Sequence, residues 1–399
     1  MTDRSRPCAI AIVIIILSGL AARAHADVPP QRADAPQVPR AEWPAACEAN
    51  VAAACNFLGM AHDVGVGAEH DPARAAVLYR KACDLGSGWG CHNLVGTVES
   101  MAARATLLQK ACNLGYAKAC HQLGGHLARG AFGAAQVANA LPLYQRGCDL
   151  GFGEACHALA LHYDAGDLGV RDQPRSARLL GRACDLDAMA SCFLLAQSHL
   201  AGKGHVARDV PRALALLTKA CGTAAFADAD IDKMPSGEAC RLLAAHVEPA
   251  RARELLARAC QFGAEEACWD MAERFASGSD GLARDAPRSL SFLRHTCDQR
   301  EAHLIVPPVV GRACNAAGAR LRAGEPATAA DLFRRACELE NAEGCNNLAR
   351  AHTLGEGVPA DQALGSKARS EACRLGYKPA CDYIRCSITL GCVPRDGRP

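Results

Sequence analysis

Apolar positions recur along this chain at intervals of three and four, in runs separated by short polar or glycine-bearing breaks, which is the period of amphipathic helices joined by turns. The stretch from Tyr144 to Ala160, YQRGCDLGFGEACHALA, shows one such junction. Tyr144 to Leu150 is made of good helix formers, and Gly151 suits the left-handed backbone that closes a helix. Cys156, Leu159 and Tyr163 then recur on one face of a second helix. Cys148 falls in the last turn of the first helix and Cys156 in the first turn of the second. Packing the two helices as a hairpin brings such Cα atoms to the roughly 4.4–6.8 Å of a disulfide, so the pair is expected to staple the turn.

The same spacing of eight separates Cys47 from Cys55, Cys83 from Cys91, Cys112 from Cys120, Cys184 from Cys192, Cys260 from Cys268, Cys337 from Cys345 and Cys373 from Cys381. Two further junctions carry insertions, an Asp-rich one between Cys221 and Cys240 and a Pro-containing one between Cys297 and Cys314. First cysteines are mostly 36 or 37 residues apart, with one short step of 29 from Cys83 to Cys112. A fixed period of this size means an array of repeats, each touching only its neighbours.

Each repeat reads as helix A, loop, helix B, staple. In the first, Val51 to Val64 is helix A, GVGAEHD is the loop, and Pro72 to Leu85 is helix B with proline at its start. The loop returns at 130–136, 166–172, 202–209, 278–285 and 355–361, while the repeat after Cys91 lacks it and runs almost directly into Met101 to Leu114. Nine A/B pairs over residues 45–385 are expected, the last helix lying around Pro379 to Arg385. Residues 386–399 form a tail closed by a bond from Cys386 to Cys392.

The N-terminus bears on the compartment. Arg4 and Arg6 precede an apolar run from Ala9 to Ala22, and Ala24-His25-Ala26 is a small-x-small cleavage pattern, so residues 1–26 read as a signal peptide. The run is shorter than the roughly 20 residues of a membrane span, so no span is expected after cleavage. Of the 23 cysteines, only Cys8 would be lost, leaving eleven local pairs, as expected of an oxidising, extracytoplasmic location, periplasmic or secreted. Residues 27–44, with five prolines and little apolar matter, read as a Pro-rich disordered tether. Removing residues 1–26, which hold three Arg and one Asp of the 44 basic and 42 acidic residues, leaves 41 of each. A phosphate-neutralising protein needs a basic stripe, so nucleic acid is not an expected partner.

The unit from residue 55 to 91, CNFLGMAHDVGVGAEHDPARAAVLYRKACDLGSGWGC, resembles the Sel1-like repeat, a relative of the tetratricopeptide repeat. With its cysteine pairs the chain is similar to the Helicobacter cysteine-rich protein family. The resemblance implies an all-α fold, an α/α superhelical solenoid whose concave face is built from A helices. It also implies either extracellular protein interaction or, as the alternative, β-lactam binding with weak β-lactamase activity.

The residues themselves carry no support for catalysis. S-x-x-K, S-D-N and K-T-G are absent, as are G-x-S-x-G, the P-loop, H-E-x-x-H and C-x-x-C. No catalytic, cofactor-binding or metal-binding residue is assigned. His62, His199 and His352 stand seven residues after the second cysteine and His126, His162 and His246 six after; they read as core or edge packing, because equivalent positions in neighbouring repeats lie about 10 Å apart, too far to share a metal. The two positions following the second cysteine lie off the apolar stripe. They hold Asn56, His92 with Asn93, His121 with Gln122, His157, Arg241, Trp269 with Asp270, and Asn346 with Asn347. Amide and imidazole groups hydrogen-bond peptide backbones and carboxylates. This ladder is therefore the candidate surface for a protein or peptide partner, and replacing Asn346 and Asn347, or His121 and Gln122, by alanine is expected to weaken binding with little effect on stability.

Overall fold

The computed structural model describes residues 39–131, 134–167, 171–222, 237–298 and 308–388, and these are helical, with no strand among them. The expected signal peptide, most of the expected tether, both junction insertions and the expected Cys386–Cys392 bond lie outside the described residues. The chain divides in sequence between Ala188 and Met189 into two compact units. The first holds a 3-10 turn (Arg40–Glu42) followed by α1 (Trp43–Glu48), α2 (Ala52–Val64), α3 (Pro72–Asp84), α4 (Gly88–Val95), α5 (Met101–Asn113), α6 (Ala117–Ala128), α7 (Val137–Asp149), α8 (Gly153–Ala165) and α9 (Gln173–Asp185). The second holds α10 (Met189–Ala201), α11 (Val210–Cys221), α12 (Gly237–Ala244), α13 (Pro249–Gln261), α14 (Glu265–Ser277), α15 (Ala286–Asp298), α16 (Pro308–Leu321), α17 (Pro326–Glu338), α18 (Ala342–Leu354), α19 (Gln362–Arg374) and α20 (Lys378–Ile388). Even-numbered helices from α2 to α18 are A helices and each packs on the B helix that follows, giving nine pairs among the described residues.

Helical structure begins at Arg40 rather than at Ala45. The reason is aromatic: the Trp43 ring lies 5.3 Å from Phe57, which lies 5.2 Å from Trp89, and the Arg40 guanidinium sits over Trp43. At the other end α20 runs to Ile388, three residues beyond Arg385.

Each junction is built from local chemistry. In five of the nine described pairs the B helix opens on an aspartate whose carboxylate accepts the backbone N–H three residues on, as Asp71 does from Arg74 and Asp361 from Leu364, both at 2.9 Å. Other B helices open on Ser100, Gln136, Glu248 and Glu325. B helices close on a left-handed residue, Gly151 with φ 84° at the junction after α7. Asp187 and Glu340 hold the same conformation where glycine is replaced. Cys148 and Cys156 are bonded with Cα atoms 4.6 Å apart, and eight other described bonds span 4.4 to 4.8 Å. Cys184 and Cys192 are each disulfide-bonded as well. Closing nine residues removes about 2.5 kcal/mol of unfolded-chain entropy per staple in the chain-entropy model.

Inside a repeat, size is matched across the A/B contact. Tyr79, Tyr144 and Phe333, four residues before the first cysteine, are buried against Gly59, Gly124 and Gly318, four residues after the second cysteine. A Cβ at Gly318 would sit 2.7 Å from the Phe333 ring. Where the B position is Leu180, Leu217, Leu256 or Leu293, the A position is Ala160, Ala196, Ala244 or Ala272. Between repeats, the basic residue two before the first cysteine reaches the end of the preceding B helix. Arg146 donates to the carbonyls of Cys112 and Asn113 at 3.2 and 3.1 Å, and Arg182 to the Cys148 carbonyl and Asp149 at 3.0 Å each. Lys110 and Arg335 meet Asp84 and Asp298. A cation there also complements the negative end of the helix dipole.

Gly318→Ala is expected to destabilise by about 1–3 kcal/mol through overpacking against Phe333, measured by chemical denaturation, and Gly318→Ala with Phe333→Leu is expected to recover most of it by recreating the alanine/leucine pair. No recovery would show that the glycine serves the backbone rather than the ring.

Candidate functional site

The two positions after the second cysteine obey a pairing rule. The first position of one repeat meets the second position of the next. Asn93 Nδ2 donates to Asn56 Oδ1 at 2.9 Å, His92 Nε2 pairs with Gln122 Oε1 at 2.9 Å, and Asn347 Nδ2 donates to Asn315 Oδ1 at 2.8 Å. Arg241 and Asp270 follow the rule as an electrostatic pair. Asn56 and Asn315 are buried. These side chains thus hydrogen-bond across neighbouring A helices and hold them in register. Trp269 packs on the core of the second unit with the Arg312 guanidinium over its ring, Arg241 also bonds Glu238, and Asn346 and His157 are half-buried. Asn315 occupies the same position and went unselected in the sequence reading.

The series breaks at α6. The residue in register with His121 is Ala158, and at this point an open groove of about 830 Å³ crosses α4, α6 and α8. Its origin is the short repeat: α4 has 8 residues against 13 in α2 and 12 in α6, so α4 stops at Val95 and leaves the upper part of α6 uncovered. The floor is Tyr144 of α7, its ring 5.7 Å from His121 on one side and stacked on His162 at 5.5 Å on the other. His92, His126, Gln122, Arg129, Leu161 and Asp167 complete the chemically distinctive lining. Gly125 lets Arg129 fold back along α6: a Cβ there would lie 3.2 Å from its Nη1.

Burial holds His92 and His157 below the ordinary imidazole value, and His126 is lowered by burial and by the charges of Arg129 and Arg104. His162 Nδ1 lies 2.5 Å from the Asp167 carboxylate. Burial raises Tyr144, with Arg129 opposing. His62 and His199, by contrast, are buried and donate through Nδ1 to the loop carbonyls of Glu69 and Ala207, which makes them structural. One further group, Cys260, Cys268 and His295, brings three ligand atoms within 4.8 Å. Both sulfurs are in a disulfide and neither is the thiolate that a metal requires.

Five stretches, residues 52–87, 153–187, 190–221, 265–299 and 342–365, match the Sel1 repeat. The chain carries Sel1 repeats. Solved structures agree on the fold of this Sel1 array. A protective antigen of uropathogenic Escherichia coli, c5321, displaying an SLR fold, is 20% identical with a TM-score of 0.53, over 83% of this chain and 70% of that one. A Sel1 repeat protein from Oxalobacter formigenes is also 20% identical with a TM-score of 0.53, over 83% of this chain and 92% of that one. No curated protein matches the chain in sequence. Among the described residues, no helix of the Sel1 array is long and apolar enough to cross a membrane.

Of the groove residues, His92, His121 and Gln122 belong to the polar ladder and His126 and His162 to the positions expected to pack, whereas Arg129, Tyr144 and Asp167 stand outside both sets. The signal that could have found them is the irregularity itself, a step of 29 followed by alanine at 158 in the polar register.

The pairing rule sets a contrast. Asn347→Ala leaves the Asn315 carbonyl oxygen buried without its donor and is expected to cost about 1–3 kcal/mol in denaturation, whereas Asn346→Ala is expected to stay within about 0.5 kcal/mol.

The lowered imidazoles set a pH dependence. The unfolded chain binds these protons more readily than the folded one, so stability is full above the ordinary imidazole pKa of 6.5 and is lost as pH falls below it toward the folded values. The melting temperature is expected to drop between pH 7.5 and 5.5, and by less in His92→Gln; an unchanged slope in that variant would remove His92 from the account.

Proposed function

We propose that this Sel1-repeat chain is a non-catalytic scaffold that acts outside the cytoplasm, after removal of residues 1–26, and binds a segment of a protein or peptide partner along its A helices. The single observation that supports it is the groove over α4, α6 and α8. Its volume suits several side chains, its imidazole, amide and guanidinium groups offer directional hydrogen bonds, and its aromatic floor and exposed Leu161 offer apolar contact. The many disulfides fit an oxidising compartment. A serine-type β-lactamase needs a hydroxyl nucleophile with a base within hydrogen-bond reach and an oxyanion site, and the groove lining contains no serine, threonine or cysteine.

Selection of displayed random peptides on the purified, oxidised chain tests this reading. The expected result is enriched peptides of about micromolar affinity that are lost when Ala158→Trp fills the groove. Failure to enrich any sequence, affinities untouched by Ala158→Trp, or a stoichiometric covalent adduct with a penicillin by intact-mass spectrometry would overturn it.

A further inference from the structure

The fixed charges of the groove lining are one carboxylate and one guanidinium. Among the residues lining it, Asp167 is the one carboxylate, and it is held by His162 at 2.5 Å. On the other side stand the exposed guanidinium of Arg129, folded back over Gly125, and His126, which feels the charges of both Arg129 and Arg104. Lys118 lies close enough to act on His92.

A comparison inside the first unit sharpens this. In the first repeat the buried Tyr79 donates its hydroxyl to Asp63 at 3.1 Å, eight residues after Cys55. Eight residues after Cys120 stands Ala128, a lining residue of the groove. Tyr144 thus occupies the place of Tyr79 with the acid deleted and a guanidinium beside it. A phenol donor, a guanidinium and an imidazole line the groove where the first repeat supplies its own carboxylate, Asp63.

We propose that the missing carboxylate comes from the ligand, so that the partner segment seated in this groove is acidic. This rests on the reading of the groove as a peptide site and adds its chemistry. A carboxylate placed at the vacated Asp63-like position accepts from the Tyr144 hydroxyl and pairs with Arg129, which is the charge-assisted geometry in which arginine is strongest. Aliphatic side chains next to it lie against Val95 and Leu161.

The test is fluorescence anisotropy of the oxidised full chain with three labelled, C-terminally amidated decapeptides built from leucine and, in turn, glutamate, glutamine or lysine. A fourth peptide, of leucine and glutamine with a free C-terminus, separates a terminal carboxylate from a side-chain one. The expected result is that a carboxylate-bearing peptide binds at least about tenfold tighter than the amidated glutamine peptide, a hydrogen bond to a charged group being worth at least this factor. Arg129→Gln is expected to remove most of that preference. Equal affinity for the carboxylate and amide peptides, tighter binding of the lysine peptide, or a preference unchanged in Arg129→Gln would overturn the acidic assignment alone. Absence of binding by all four, together with a failed peptide selection, would overturn the peptide-site reading as well.

Discussion

The regular features of this molecule depend on the disulfide staple at each helix–turn–helix junction. A bond that holds two Cα atoms about 4.6 Å apart across a helix–turn–helix leaves the outgoing B helix and the incoming A helix almost no choice of register. Once the turn is fixed, the residue after the second cysteine leaves its helix toward the neighbouring A helix, and Lys110, Arg146, Arg182 and Arg335, each two before a first cysteine, overhang the preceding B helix. The rungs Asn56–Asn93, His92–Gln122 and Asn315–Asn347, and the reach of Arg146 and Arg182 to carbonyls of the previous repeat, are consequences of that registration. An array with an alanine-rich core and 5% aromatic residues buries modest area per repeat, so constraints that act on the unfolded chain carry weight that apolar contacts carry in larger cores.

What was legible in the sequence is what is local. Cysteine spacing, aspartate caps and left-handed glycines act over fewer than ten residues, and helices and pairings follow from them without knowledge of the neighbouring repeat. The exceptions at Asp187 and Glu340 show that the turn geometry outlasts the loss of glycine, because the staple on either side enforces it. The polar positions were also legible, but their role was not. Asn93 and Gln122 were recognisable as off the apolar stripe, yet that they point at Asn56 and His92 depends on an offset of one position between adjacent A helices. Spacing within a single repeat does not contain that offset. Side chains that look solvated in one helix are therefore half-buried between two.

The groove was illegible for the opposite reason, since it arises where the pattern fails. A step of 29 in place of 36 shortens α4, alanine replaces an amide at 158, and alanine replaces an acid at 128. Each change is conservative by itself and would pass as erosion of a degenerate repeat. Together they uncover one stretch of α6 and remove the groups that elsewhere satisfy its neighbours.

That coincidence has a physical logic in a solenoid. A perfect repeat satisfies every polar group with the next copy, so its surface has nothing directed left to offer a ligand. Binding capacity has to come from interrupted pairing, where the scaffold still places Tyr144 and Arg129 at the groove but withholds the partner that the first repeat supplies. The staples make such an interruption tolerable: with the junctions at Cys83–Cys91, Cys112–Cys120 and Cys148–Cys156 covalently held, loss of the contacts over α4 does not let the adjoining helices drift. The most irregular repeat of the first unit is thus the one best placed to recognise something outside the chain, and the disulfides on both sides of it are what allow it to be irregular.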